Sequence, residues 1–191
     1  ELEFFYFKDN QTTEPLDNYG YYDQLSSQPA ADLRRNTVLN LSEIGIPVKY
    51  SHHEGAPGQH EIDLQYTDAL TMADSVMTAK LVIKELAQLS GAYASFMPKP
   101  ITGVNGSGMH IHQSLFQGDT NAFYDPDDPQ HLSLTGRQFI AGLIRHAAEI
   151  SLVTNQWVNS YKRLVPGFEA PVYVSWDHQN RSDLIRIPAY K

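Results

Sequence analysis

Acidic side chains recur in this sequence at spacings that chemistry could use. Glu1 and Glu3 head the run Glu1-Leu2-Glu3-Phe4-Phe5-Tyr6-Phe7, and in an extended strand that spacing puts both carboxylates on one face. Two like charges so close oppose each other's ionisation unless a cation lies between them. A divalent metal is one reading; solvated glutamates on an exposed strand edge are the other. Glu54 and Glu61 bracket Gly55-Ala56-Pro57-Gly58-Gln59-His60, a loop that glycine and proline make tight and rigid. Two more carboxylates could reach one ion there, or could belong to an ordinary acidic turn. His52, His53 and His60 are expected to be satisfied by local hydrogen bonds.

Further along, Asn105-Gly106-Ser107-Gly108-Met109-His110-Ile111-His112 joins a glycine turn, where a ligand can approach the main chain, to two imidazoles able to meet phosphate or metal. It lacks the Lys-Ser/Thr of a P-loop and the spacing of a dinucleotide fingerprint. Asn159 to Pro171 reads as a stiff charged loop, and Arg181 and Arg186 add guanidinium groups suited to bidentate recognition of carboxylate or phosphate. Surface salt bridging would explain these charges but not the Pro-Gly rigidity.

The elements that must position these groups can be read from periodicity. A strand covers residues 1–7 and a loop 9–28; a helix over 29–44 presents Leu33, Leu41 and Ile44, with Gly45 as a left-handed cap. Residues 47–54 alternate as a strand with Val48, Tyr50, His52 and Glu54 on one side. A helix over 68–90 uses Met72, Val76, Ala79, Ile83, Leu86 and Ala87, and ends before Gly91. Alternation over 109–115 predicts a strand with His110, His112 and Ser114 on one face; residues 134–153 predict a helix through Phe139, Leu143, Ile144, Ala147 and Ile150. Residues 172–187 read as two short strands. Connections are too short for parallel crossovers, so the fold class is α+β, an antiparallel sheet flanked by helices.

The 191 residues suffice for one substantial core, and a net charge of -8 excludes a nucleic-acid or anionic-membrane partner that needs a basic face. With no cysteine, any metal must be held by oxygen and imidazole. No apolar run spans a bilayer and no secretory signal opens the chain, which favours the cytoplasm. Both ends run through patterned segments, so truncation is expected at front and back.

Taken in order, Glu-x-Glu-Phe-Phe, His-His-Glu with Gly-Gln-His-Glu, Asn-Gly-Ser-Gly-Met-His-x-His, Asn-Ser-Tyr-Lys-Arg-Leu-Val-Pro-Gly-x-Glu-Ala-Pro and Asn-Arg-Ser resemble the glutamine synthetase family over essentially the whole chain. The resemblance implies a partial catalytic domain, lacking the small N-terminal domain and the C-terminal part of the catalytic domain. It implies two Mg2+ or Mn2+ ions, one held by Glu3, Glu54 and Glu61 near substrate and one by Glu1 and His110 at the nucleotide phosphates. Asn105, Gly106 and Arg163 match glutamate-binding positions, and His112, Ser114, Arg181 and Arg186 match nucleotide-side positions. Glu169 matches the flap glutamate that closes the site over ammonium, and Arg181 also faces the transferring phosphoryl group. The implied reaction is ATP-driven ligation of ammonia to glutamate, in a homo-oligomer of two stacked hexameric rings. A polyamine or other amine as acceptor is the alternative, and a non-catalytic structural relative a more remote one. Val104 departs from the acidic residue many members carry before Asn-Gly-Ser-Gly.

Overall fold

A computed structural model describes residues 1–23, 29–178, 180 and 182–188. The chain divides into two compact units, Glu1–His110 and Ile111–Lys191, each considered by itself.

The first unit is built on an antiparallel sheet of four strands in the order β2-β3-β1-β4, with β1 at Leu2–Phe7, β2 at Val48–His53, β3 at Gln59–Leu64 and β4 at Tyr93–Ser95. Alternate residues of β1 serve two faces, as the two-residue strand period requires. Leu2, Phe4 and Tyr6 pack with Ile62 against Ala30, Leu33 and Leu41 of α1 (Pro29–Glu43) and Ala79, Ile83 and Ala87 of α2 (Ala69–Leu89). On the other face Phe5 and Phe7 stack nearly parallel, ring centres 5.8 Å apart, beneath Ala56, Ile101 and Val104.

Both helices stop by the same device. Gly45 and Gly91 take left-handed backbone (φ 84° and 73°), and the amides beyond them, of Ile46 and Ala92, reach back to the carbonyls of Leu41 and Ala87 at 2.8 Å. The predicted apolar face of α1 needs one correction. Ile44 is exposed, because it falls at the cap itself, and Ile46 enters the core against Leu41 instead. The start of α2 is fixed by Asp68, whose carboxylate accepts the amides of Leu70 and Thr71 at 3.1 and 3.0 Å.

Two strand readings also change. A bulge between Val48 and Tyr50 shifts parity within β2, so Val48 packs on the helix side while Tyr50 and His52 pair with Asp63 and Glu61. Residues 109–115 form no strand: Met109 makes a single bridge to Leu2 and the His110 carbonyl accepts the Glu1 amino group at 3.2 Å, immediately before β1, while residues 111–115 belong to the second unit and have no ladder partner.

The second unit holds the two-residue strands β5 (Phe116–Gln117) and β6 (Thr120–Asn121), α3 (Leu134–Thr154), α4 (Val158–Arg163), β7 (Trp176–His178) and β8 (Ile185–Ile187). Ser133 caps α3 by accepting the Gly136 amide at 3.1 Å. Gly136, Ile140 and Ala147 form its buried stripe, whereas Ile150, expected on that face, is exposed. A short helix, α4, occupies part of the segment read as loop. β7 and β8 pair in parallel, unlike every other ladder among the described residues. No helix among the described residues is long and apolar enough to cross a membrane.

Candidate active site

The sheet face opposite the helices gathers acidic groups by register alone. Across β2, β3 and β1, His52 lies opposite Glu61 and Glu61 opposite Glu3, while Tyr50 lies opposite Asp63. Directly opposed side chains in an antiparallel pair stand about 5 Å apart, and like charges there repel. His52 reaches both neighbouring carboxylates, with Nδ1 3.3 Å from Glu54 Oε1 and Nε2 3.3 Å from Glu61 Oε2. His110, arriving from the glycine-rich segment, places Nδ1 3.0 Å from Glu1 Oε2 and 3.7 Å from Glu3 Oε1. The expected metal residues Glu1, Glu3, Glu54, Glu61 and His110 are thus brought together in one place. Glu61 is shared: one ligand atom each from Glu1, Glu61 and His110, and likewise from His52, Glu54 and Glu61, fall within 4.8 Å of one another.

The electrostatics agree with the geometry. Burial pushes the Glu61 carboxyl well above its ordinary range, aided by its hydrogen bond with Glu54 and by the charges of Glu3, Asp63 and Glu54. Asp63 is raised too, first by burial and then by Glu1. A divalent cation would reverse that field, and an oxygen-rich set with imidazole suits Mg2+ or Mn2+.

His53, next to His52, points to the other face and does something different. Its Nδ1 donates to the Glu54 carbonyl at 2.6 Å and its Nε2 meets Asp17 Oδ1 at 2.7 Å. Asp17 also accepts the Gly58 amide at 3.0 Å, and its Oδ2 lies 3.2 Å from His60 Nε2. Burial opposes ionisation of Asp17, but hydrogen bonds from His53 and His60 hold its carboxyl well below the usual range. Burial pushes His60 down to about 4, against the pull of Asp17. Arg34 Nη1 lies 2.7 Å from His60 Nδ1, so the guanidinium donates to a neutral ring. Although Asp17, His53 and His60 also stand within ligand distance of one another, the guanidinium beside them and the hydrogen bonds already made argue for an ion-pair anchor rather than a cation site. The local satisfaction expected for these histidines is therefore met for all three, His52 through Nδ1 to the His53 carbonyl at 3.2 Å, although the His52 ring also borders the carboxylate cluster.

Gln59 was not among the candidates. It is 1% exposed and joins the turn, Glu3 and Gly106. Asn105 is half-buried and Gly106 buried, in the same unit. The remaining candidates lie in the second unit. His112 and Ser114 are in irregular backbone; Arg163 ends α4; Arg186 sits in β8 opposite Asp177. Glu169 is exposed at φ 51°, two residues beyond Gly167 at φ 89°. A non-glycine residue in that region is uncommon and concentrates at functional loops. Arg181 lies outside the described residues.

Helices on one sheet face and converging carboxylates and imidazoles on the other define an α+β protein with a candidate divalent-metal centre. The model of the glutamine synthetase catalytic domain matches residues 1–191. Curated glutamine synthetases of Mycolicibacterium smegmatis and Thermotoga maritima are 57% and 54% identical, over 100% and 98% of this chain and 44% of each relative. In three dimensions the chain is similar to the glutamine synthetase of Plasmodium falciparum (TM-score 0.87, 30% identity, covering 97% of this chain and 42% of that one). It is likewise similar to ligand-free GmaS (TM-score 0.84, 34% identity, 97% and 44%). The chain belongs to the glutamine synthetase catalytic-domain family, and it spans less than half the length of these relatives.

Proposed function

We propose that this chain is part of the catalytic core of a longer enzyme, cytoplasmic and homo-oligomeric in two stacked hexameric rings, that makes glutamine from glutamate, ammonia and ATP. The observation that carries the proposal is the cluster of Glu1, Glu3, Glu54, Glu61 and His110 on one sheet face, bonded through Glu3 and Gln59 to the turn holding Asn105 and Gly106.

In this reading Glu3, Glu54 and Glu61 would hold one Mg2+ or Mn2+ and Glu1 and His110 another. When bound, the ions neutralise phosphate charge and polarise the transferring group. Asn105, Gly106 and Arg163 hold glutamate. His112, Ser114, Arg181 and Arg186 hold ATP, the two arginines matching the charge spread over the γ-phosphoryl group. The glutamate side-chain carboxylate attacks the γ-phosphorus; ADP leaves and a γ-glutamyl phosphate forms. Glu169 takes a proton from ammonium and shields the acyl phosphate from water. Ammonia then attacks the acyl carbon, phosphate leaves, and a second proton is lost to give glutamine.

The test is product formation by the full-length protein with ATP, Mg2+ or Mn2+ and glutamate, offering ammonium and a panel of amines in parallel. Glutamine formation that falls by about 100-fold in Glu169→Ala, the scale of a general-base loss, is the expected outcome. Product with amines alone would replace ammonia as acceptor. No glutamate-dependent ADP formation and no γ-glutamyl product with any acceptor would refute ligase chemistry.

A further inference from the structure

The side-chain amide of Gln59 makes three directed hydrogen bonds in a fully buried position. Its Oε1 accepts the Ala56 amide at 3.2 Å, and its Nε2 donates to Glu3 Oε2 at 3.3 Å and to the Gly106 carbonyl at 3.1 Å. The orientation is unambiguous, since a flipped amide would set oxygen against two acceptors and NH2 against a donor. Glu3 Oε2 also accepts the Gly108 amide at 2.8 Å, and the Glu3 amide donates to the Gly108 carbonyl at 3.2 Å. One carboxylate oxygen of Glu3 is thus engaged by the segment containing Asn105–Gly106, while Oε1 is turned toward His110.

We infer that Gln59 is a positioning residue that couples the cation-binding carboxylate of Glu3 to the glutamate-binding turn at Asn105–Gly106, so that each ligand tightens the other. The inference rests on the proposed roles of Glu3, Asn105 and Gly106. A cation that fixes the Glu3 carboxylate also fixes the acceptor of the Gln59 amide, and with it the Gly106 carbonyl. Because coupling between binding sites is reciprocal, glutamate that orders the turn must favour the cation by the same factor. Among the standard side chains only glutamine supplies one acceptor and two donors at this reach. Asparagine is one methylene short, and glutamate adds a charge to a cluster already rich in carboxylates.

The experiment uses the full-length protein and follows Mn2+ binding by electron paramagnetic resonance, with and without saturating glutamate. In the parent protein glutamate should tighten Mn2+ about 10-fold, within the usual range of such couplings. Gln59→Met, which keeps the shape and removes the hydrogen bonds, should weaken Mn2+ about 10-fold, as loss of a ligand's supporting partner does. The same variant should bring the glutamate effect to within about 2-fold and raise glutamate KM more than it lowers kcat. A fold defect would instead reduce the active fraction and leave both KM and the coupling intact. Gln59→Asn serves if Gln59→Met does not fold, with the same expectation. Parent-like coupling in either folded variant, or no coupling in the parent, overturns the inference. Unchanged Mn2+ binding in Glu3→Gln, or unchanged glutamate binding in Asn105→Ala, would instead refute the underlying site assignment.

Discussion

Replacing Asp17 should loosen the β2–β3 hairpin that carries Glu54 and Glu61, although Asp17 is absent from the proposed metal set. The carboxylate receives Nε2 of His53 at 2.7 Å, Nε2 of His60 at 3.2 Å and the Gly58 amide at 3.0 Å. All of these groups are buried, so Asp17→Ala leaves three buried donors without an acceptor, besides the longer bond from the half-buried Tyr19 amide at 3.4 Å. Each stranded donor costs about 1–3 kcal/mol, and partial relaxation puts the expected sum near 4 kcal/mol. Asp17→Asn retains one acceptor oxygen but turns an NH2 toward a donor, and should cost about 2 kcal/mol. In an oligomer the suitable readout is local: amide hydrogen exchange of residues 59–64, read by mass spectrometry on the full-length protein, reports opening of this hairpin. A loss of 4 kcal/mol lowers protection about 1,000-fold, with a much smaller change over α3. The pH dependence has a definite sign. Because the folded-state carboxyl is held below its unfolded value, its contribution is present above about pH 4 and lost as pH falls through the lower folded value. Asp17→Asn should therefore flatten the acid limb. Less than a 3-fold change in hairpin protection for Asp17→Ala would refute the anchor.

Gly58 has φ 68°, and a Cβ there would lie 2.8 Å from the Tyr6 carbonyl oxygen and 2.9 Å from Pro15 Cβ. Gly58→Ala should lower the thermal midpoint by several degrees, the consequence of a loss of about 2 kcal/mol or more, and an unchanged midpoint would contradict the packing. Burial raises the Tyr6 phenol to about 12 despite its contact with Thr37. Its protonated form therefore contributes stability below pH 10 that is lost between about 10 and 12, and thermal midpoints over that range should fall less steeply in Tyr6→Phe.

Where function and core demand the same pattern, the residues disclose the structure. Glu1-Leu2-Glu3-Phe4 is legible as a strand because its acidic and apolar sides alternate, and the stripes of α2 and its Asp68 start are legible because nothing competes with packing there. The glycines and proline of residues 55–58 extend the loop reading through Gln59 and His60, yet both residues open β3 and both are buried with Glu61, His60 against Phe4, Tyr6 and Arg34. Their partners Glu3, Asp17, Arg34 and Gly106 lie far away in sequence. His110 to Ser114 show the reverse failure. Alternation was present, but alternation cannot reveal whether a neighbouring strand offers hydrogen-bond partners. The candidate carboxylates are legible because spacing within each pair is local, whereas the roles of Asp17 and Gln59 depend on partners far away in sequence, His53 and His60 for the one, Glu3 and Gly106 for the other.

The alternation of β1 and β3 also acts as a parity check on the gene. Sliding β3 by one residue against β1 would carry Glu61 and Asp63 into the layer under α1 and α2 and turn Ile62 and His60 toward the metal side. Core and chemistry would fail together, in one step, with no intermediate phenotype. An odd change in the length of the 55–58 turn should therefore be far more damaging than an even one, and the bulge between Val48 and Tyr50 is where β2 itself changes parity.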